Sequence, residues 1–251
     1  MNQSSDNKQH PGIYLLPNLF TTAGLFAGFY AIVAAMHARF EPACIAIFVA
    51  MVMDMLDGRV ARMTGTESAF GAEYDSLTDM VAFGVAPALV IYSWGLSDLG
   101  KLGWLVAFLH TAGMALRLAR FNTLIGKADK RFFCGLPAPA AAGVVVGYVW
   151  LQTDFDMPRN ASYVGAILTF LVSVCMVSTL RYYSFKDIDL KGKVPFLALL
   201  IMVMVFVCIS MHPPTVLFGA FALYALSGPC WTLWRLRGMR GLRRILAFWK
   251  R

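Results

Sequence analysis

Apolar runs long enough to cross a membrane recur along almost the whole of this 251-residue chain. A helix that spans a bilayer needs about 20 consecutive apolar residues. Eight such runs occur, near residues 14–36, 43–61, 76–96, 102–119, 137–153, 162–180, 194–211 and 214–233. In hydrocarbon each backbone N–H and C=O must find a partner within the chain, so runs of this kind have to be helices. Only 14% of the residues are charged and 59% are hydrophobic, whereas a soluble domain carries roughly 25% charged residues. The expectation is an all-α integral membrane protein. It is a polytopic bundle of about eight transmembrane helices in one domain, residues 1–233, followed by a basic tail, residues 234–251. No small-residue cleavage site follows the first run, so that run is expected to stay as a membrane helix.

Lysine and arginine then orient the bundle. With eight spans, the N-terminus, the even-numbered loops and the C-terminus lie on one side. That side holds Lys8, Arg59, Arg62, Arg117, Arg120, Lys127, Lys130, Arg131, Arg181, Lys186, Lys191, Lys193 and the seven basic residues after Trp234. The opposite side holds only Arg39, Lys101 and Arg159. This asymmetry predicts that both termini are cytoplasmic. The net charge of +8 therefore belongs to loops facing anionic membrane lipid, not to a nucleic-acid surface. The tail, RLRGMRGLRRILAFWKR, reads either as an interfacial helix on anionic headgroups or as a topogenic segment without a defined helix. The five cysteines, Cys44, Cys134, Cys175, Cys208 and Cys230, form no CxxC pair and read as small buried hydrophobes. His110, inside an apolar run, reads as a packed histidine.

The chemistry concentrates in residues 54–79, DMLDGRVARMTGTESAFGAEYDSLTD. Asp54 and Asp57 are three apart, and Asp75 and Asp79 four apart, so each pair shares a helix face. Two helices joined by a tight connection would aim four carboxylates at one point. An ionised aspartate near mid-helix costs about 2.5–3.5 kcal/mol on insertion scales, so something must compensate. A rim network with Arg59 and Arg62 is one answer. The other is hard divalent cations, Mg²⁺ or Mn²⁺, which take oxygen-only ligands; four aspartates can hold two. Gly58 and Ala61 lie on the same side as Asp54 and Asp57, and Gly71 sits one turn before Asp75. Small residues let a phosphate approach the backbone, and Arg62 can grip it with a planar fork.

The spacing Asp54-x2-Asp57-Gly58-x2-Ala61-Arg62-x8-Gly71-x3-Asp75-x3-Asp79 resembles the complete signature of the CDP-alcohol phosphotransferase family. The resemblance implies two divalent cations held by Asp54, Asp57, Asp75 and Asp79 against the diphosphate of a CDP-activated lipid. It gives Asp79 a second role, as the base for the acceptor hydroxyl. It places Gly58, Ala61, Arg62, Ser68 and Gly71 at the CDP-diacylglycerol site, with Asn18 of the opening Pro17-Asn18 near by. It also makes a homodimer the expected assembly. Three later stretches, RLARFN at 117–122, GLPAPAAA at 135–142 and STLRYYSFKDIDL at 178–190, resemble the serine-using bacterial branch of the family. They imply transfer of the phosphatidyl group of CDP-diacylglycerol to L-serine. Arg117 and Arg120, three apart, could bind the serine carboxylate bidentately. Other acceptors stay open: glycerol 3-phosphate, inositol phosphate or choline. A divalent-cation transporter would need polar groups continuing across the bilayer, and the outer halves of the second and third runs offer almost none. A lipid-binding scaffold would leave the four aspartates unexplained.

Overall fold

Each of the eight apolar runs is helical in the computed structural model, which describes residues 15–124, 132–155, 160–183 and 196–248. Helices α1 (Leu15–Met36) and α2 (Phe40–Thr64) pack along each other as a hairpin. Next come α3 (Ala69–Asp79) and α4 (Ala86–Trp94), two parts of one rod joined by a π-helical turn, Met80–Val85. The order continues with α5 (Lys101–Leu124), α6 (Ala138–Asp154), α7 (Ala161–Val177), α8 (Phe196–Met211) and α9 (Pro213–Phe248). Two short strands, β1 (Phe132–Cys134) and β2 (Arg181–Tyr183), pair antiparallel, with Phe133 opposite Tyr182.

The expectation of about eight transmembrane helices is met in part. Among the described residues four rods are long and apolar enough to cross a membrane: Pro17–Met36, Ala69–Trp94, Lys101–Thr123 and Pro213–Thr232. Helices α6 and α7 have 17 residues each and α8 has 16. At a rise of about 1.5 Å per residue α6 and α7 reach about 26 Å, short of a hydrocarbon core of about 30 Å; the residues just before α8 lie outside the described ones. Helix α2 has the length, but its second half carries Asp54, Asp57, Arg59 and Arg62. The protein is thus a polytopic membrane bundle in which not every helix is a clear span. The third rod also begins earlier than the apolar run suggested. Ser68 caps it by accepting a hydrogen bond from the Gly71 N–H at 3.0 Å, which places Asp75 and Asp79 within a helix instead of at its start.

Helix α6 forms the centre, buried without interruption from Ala140 to Trp150 and packed against α2, α4, α7 and α9. Its small residues set the spacing. A Cβ on Gly143 would lie 2.7 Å from the Phe221 ring, and one on Gly147 would lie 3.1 Å from the Phe218 Cα. These two glycines, four apart, let α9 settle onto α6 at near-backbone contact, the small-xxx-small mode of membrane helices. Helix α9 continues as a single backbone helix through the basic stretch to Phe248.

The two strands tie the later loops to the bundle. Gly135 N–H donates to Leu180 O at 2.8 Å and Leu136 N–H to Cys175 O at 3.0 Å. The Tyr182 hydroxyl donates to Ala225 O of α9 at 3.1 Å. The stretches around 117–122, 135–142 and 178–183 therefore meet in one knot at the end of α5 and α7. The reading of the cysteines needs correction: Cys44 is buried, Cys175 is intermediate, and Cys134, Cys208 and Cys230 are exposed. The outward faces of membrane helices accept apolar side chains, so an apolar neighbourhood in sequence does not require an inward one. His110 is fully buried, as expected. Lys8, Lys127, Lys130, Arg131, Arg159, Lys186, Asp187, Asp189, Lys191 and Lys193, and the tail's side chains, lie outside the described residues.

Candidate active site

A four-residue connection brings the two carboxylate-bearing helices together. Helix α2 ends at Thr64, and Gly65 takes the left-handed conformation, φ 63°, that closes its last turn. Thr66 N–H returns to Ala61 O at 3.1 Å. The chain then enters the Ser68 cap and climbs back as α3, so Asp54 and Asp57 face Asp75 and Asp79 across the hairpin.

Oxygen atoms of Asp54, Asp57 and Asp75 all lie within 4.8 Å of one another. Asp79 lines the same tight crevice, beside Asp54, Asp75 and Arg117. At an effective dielectric of about 20, two ionised carboxylates at that spacing repel by roughly 3.5 kcal/mol. Arg117 alone does not offset several such pairs. The donor set is all oxygen and compact, so it fits a hard divalent cation. Asp57 is 6% exposed, and Thr21 on α1, 4% exposed, donates its hydroxyl hydrogen towards Asp57 Oδ2 at 2.9 Å, with Pro17 O also within reach at 3.1 Å. One Asp79 oxygen, Oδ1, and the Nε of Arg117 are buried without a hydrogen-bond partner. Thr78 Oγ1, which lines the crevice with Asp79, is a third such orphan, and groups of this kind are costly unless a ligand supplies their partners.

The small residues expected at the site lie around this centre. The Arg62 guanidinium folds back over Gly58, where an added Cβ would sit 3.4 Å from Nη1. Ala61 lies on the α2 turn between them. At Gly71 an added Cβ would sit 3.1 Å from Ser68 Oγ and 3.7 Å from Asn18 Oδ1, so Asn18, Ser68 and Gly71 lie together where α1 meets the start of α3. The Tyr74 hydroxyl pairs with Thr22 of α1 at 3.0 Å.

The two arginines proposed for an acceptor carboxylate part company. Arg117 turns to the aspartates, near Tyr224 of α9. Arg120 is committed elsewhere: Nη1 donates to Val177 O and Ser178 O, both at 3.3 Å, and Nη2 to Cys134 Sγ at 2.9 Å. It staples α5 to the end of α7 and to β1. Thr21 and Tyr74 escaped the sequence reading. A hydroxyl one turn after Pro17-Asn18 was the available signal for Thr21.

An apolar groove of about 880 Å³ runs between α1 and α2, walled by Ala23, Phe26 and Tyr30 on one helix and Ile45, Val49 and Met53 on the other. Its lining extends to Leu19 and Thr22 on α1 and to Met53 on α2, and Thr22 and Met53 are next in sequence to Thr21 and Asp54. The groove and the carboxylate crevice are thus two sides of the same helix pair.

Comparison with known proteins agrees with this arrangement. The sequence profile of the CDP-alcohol phosphatidyltransferases matches residues 14–178. The chain is 38% identical over 215 residues to the CDP-diacylglycerol–serine O-phosphatidyltransferase of Helicobacter pylori, covering 85% of this chain and 90% of that one. It is 39% identical over 174 residues to the enzyme of the same name from Mycobacterium tuberculosis, covering 66% and 60%. It is also 36% identical over 179 residues to the archaetidylserine synthase of Methanothermobacter thermautotrophicus, covering 70% and 73%.

Proposed function

The chain belongs to the CDP-alcohol phosphatidyltransferase family, and from that premise we propose that it transfers the phosphatidyl group of CDP-diacylglycerol to L-serine, giving phosphatidylserine and CMP. The observation that carries the reading is the clustering of Asp54, Asp57 and Asp75 beside the unpartnered Asp79 oxygen. Serine as acceptor is supported by relatives named for serine transfer that match most of this chain.

Asp54, Asp57, Asp75 and Asp79 would hold two divalent cations, Mg²⁺ or Mn²⁺. When bound, these supply charge neutralisation for the diphosphate and for departing CMP. Arg62, lying over Gly58, takes a diphosphate oxygen, and Asn18, Ser68 and Gly71 border the nucleotide. Asp79 Oδ1 accepts the proton of the serine hydroxyl. The serine oxygen bonds to the phosphorus that carries the diacylglycerol, and the bond from that phosphorus to the CMP oxygen breaks. Arg117 holds the serine carboxylate through its free Nε edge. The groove between α1 and α2 takes the donor's acyl chains from the membrane. The aspartates and both termini face the cytoplasm of a bacterial inner membrane, where the basic continuation of α9 lies on anionic lipid. A homodimer is the working assembly.

The test is CMP release by purified protein given CDP-diacylglycerol and, separately, L-serine, glycerol 3-phosphate, inositol phosphate or choline. Serine should support turnover. Silence with serine alongside turnover with another alcohol overturns the acceptor assignment.

A further inference from the structure

Pro87 lies at the start of α4 and has no N–H to give. In an α-helix that N–H would bond to the carbonyl four residues earlier, Phe83, and the proline ring would crowd the same carbonyl. Here the chain widens into the π turn Met80–Val85, with the Ala86 N–H reaching back five residues to Val81 O. Phe83 is 1% exposed, so an unpaired carbonyl there costs about 1–3 kcal/mol. His110 of α5, fully buried, brings Nε2 to 3.2 Å from Phe83 O. A carbonyl only accepts, so Nε2 carries the hydrogen and Nδ1 of the neutral ring is left as an acceptor. Facing Nδ1 at 3.5 Å is the Ser173 hydroxyl of α7, which donates its own hydrogen to Thr169 O at 2.6 Å.

The π turn begins at the residue after Asp79. One extra residue in a turn rotates the helix before it by about 100° relative to the helix after it. Helix α4 is docked in the core, so the turn decides which way α3 presents Asp75 and Asp79. On its other side the turn touches α1, where an added Cβ on Gly28 would lie 2.8 Å from the Ala82 Cα. The turn is packed between α1 and α5, and from α5 the Thr111 hydroxyl also lies 3.5 Å from Gly84 O, while the Nε2–H of His110 is the donor aimed at Phe83 O.

We propose that His110 is a positioning residue for the reaction: its Nε2–H replaces the donor that Pro87 lacks, holds the π turn at Phe83, and so keeps Asp79 turned towards Asp54, Asp57 and Asp75. The proposal rests on the assignment of these aspartates to the reaction.

Three variants test it: His110→Leu, which removes the donor; His110→Gln, which keeps one; and His110→Leu with Pro87→Ala, which returns an N–H to Phe83 within the helix and lets the turn close to an α-turn. Three quantities are read: the kinetics of CMP release, the unfolding midpoint without substrates, and the rise in that midpoint on adding Mn²⁺ alone. For His110→Leu, kcat should fall by about 100-fold, the scale of a small misplacement of a reacting group, while KM for either substrate changes little. His110→Gln should recover most of kcat. The double variant should regain the unfolding midpoint but not kcat, because its aspartates have rotated. Recovery of kcat together with stability in the double variant would make His110 merely structural and overturn the proposal. Full turnover in His110→Leu would do the same. A wild-type protein inactive with every alcohol overturns the activity reading instead. The Mn²⁺-induced rise then still decides on His110: it shrinks in His110→Leu and returns in His110→Gln, and an unchanged rise overturns the positioning role.

Discussion

Replacing Thr21 by valine removes one oxygen and keeps the shape of the side chain. That oxygen bonds Asp57 Oδ2 at 2.9 Å from a position 4% exposed. A hydrogen bond to an ionised group is worth about 1.5–3 kcal/mol. With about 1.4 kcal/mol per factor of ten, the loss corresponds to roughly 10- to 100-fold weaker cation retention, the range found when an outer partner of a metal ligand is removed. The assay titrates Mn²⁺ or Mg²⁺ against CMP release, and against the unfolding midpoint with no lipid present. The half-saturating metal concentration should rise by that factor, and the rate at saturating metal should come back to near the wild-type value. If the titration midpoint moves less than about twofold (under about 0.4 kcal/mol), Asp57 does not act on a metal through Thr21 and the reasoning fails.

Asp79→Asn keeps the crevice filled but cannot take a proton. Turnover should drop by about 100-fold or more while CDP-diacylglycerol still protects the protein against thermal unfolding. Arg117→Gln should raise KM for serine more than it lowers kcat, measured by CMP release across serine concentrations. Arg120→Ala should leave KM for serine unchanged and lower the unfolding midpoint, because three acceptors between α7 and β1 lose their donor. Gly143→Leu should destabilise by about 1–3 kcal/mol or more through overpacking against Phe221, read as a lower midpoint in denaturant or heat.

The aspartate pairs were legible because their geometry is local. Three- and four-residue spacings on a helix place side chains on one face whatever the rest of the chain does. A tight connection was expected, but the apolar runs put its ends at residues 61 and 76; Gly65 and Ser68, which close one helix and open the next, bring them to Thr64 and Ala69. Thr21 was not, because its partner lies 36 residues away and only the docking of α1 on α2 brings them together. Arg117 and Arg120 looked equivalent at their spacing. Neighbours from α3, α7 and β1 divide their roles, and those contacts are tertiary. Strands of three residues carry too few side chains to show a period, so the β1–β2 pair left no trace. The π turn did leave one, a proline four residues after Phe83 within an apolar run. Its histidine partner sits 27 residues on and gives no sign in its own neighbourhood. Helix lengths were read from hydropathy alone, which extended α7 over residues that the structure gives to its cap and to the start of the path into β2.

The groove between α1 and α2 opens sideways, along helix faces where Phe26, Ile45 and Val49 are exposed. A substrate that arrives by that route is not supplied from bulk solution. Its concentration, as the protein meets it, is a mole fraction within a two-dimensional sheet, while the water-soluble acceptor is counted per litre. Diluting the donor with inert lipid or detergent at constant total donor should therefore slow the reaction as though substrate had been removed. The same dilution should leave the half-saturating serine concentration where it was. Rate laws for this protein consequently need two unlike concentration scales, one for each side of the same helix pair.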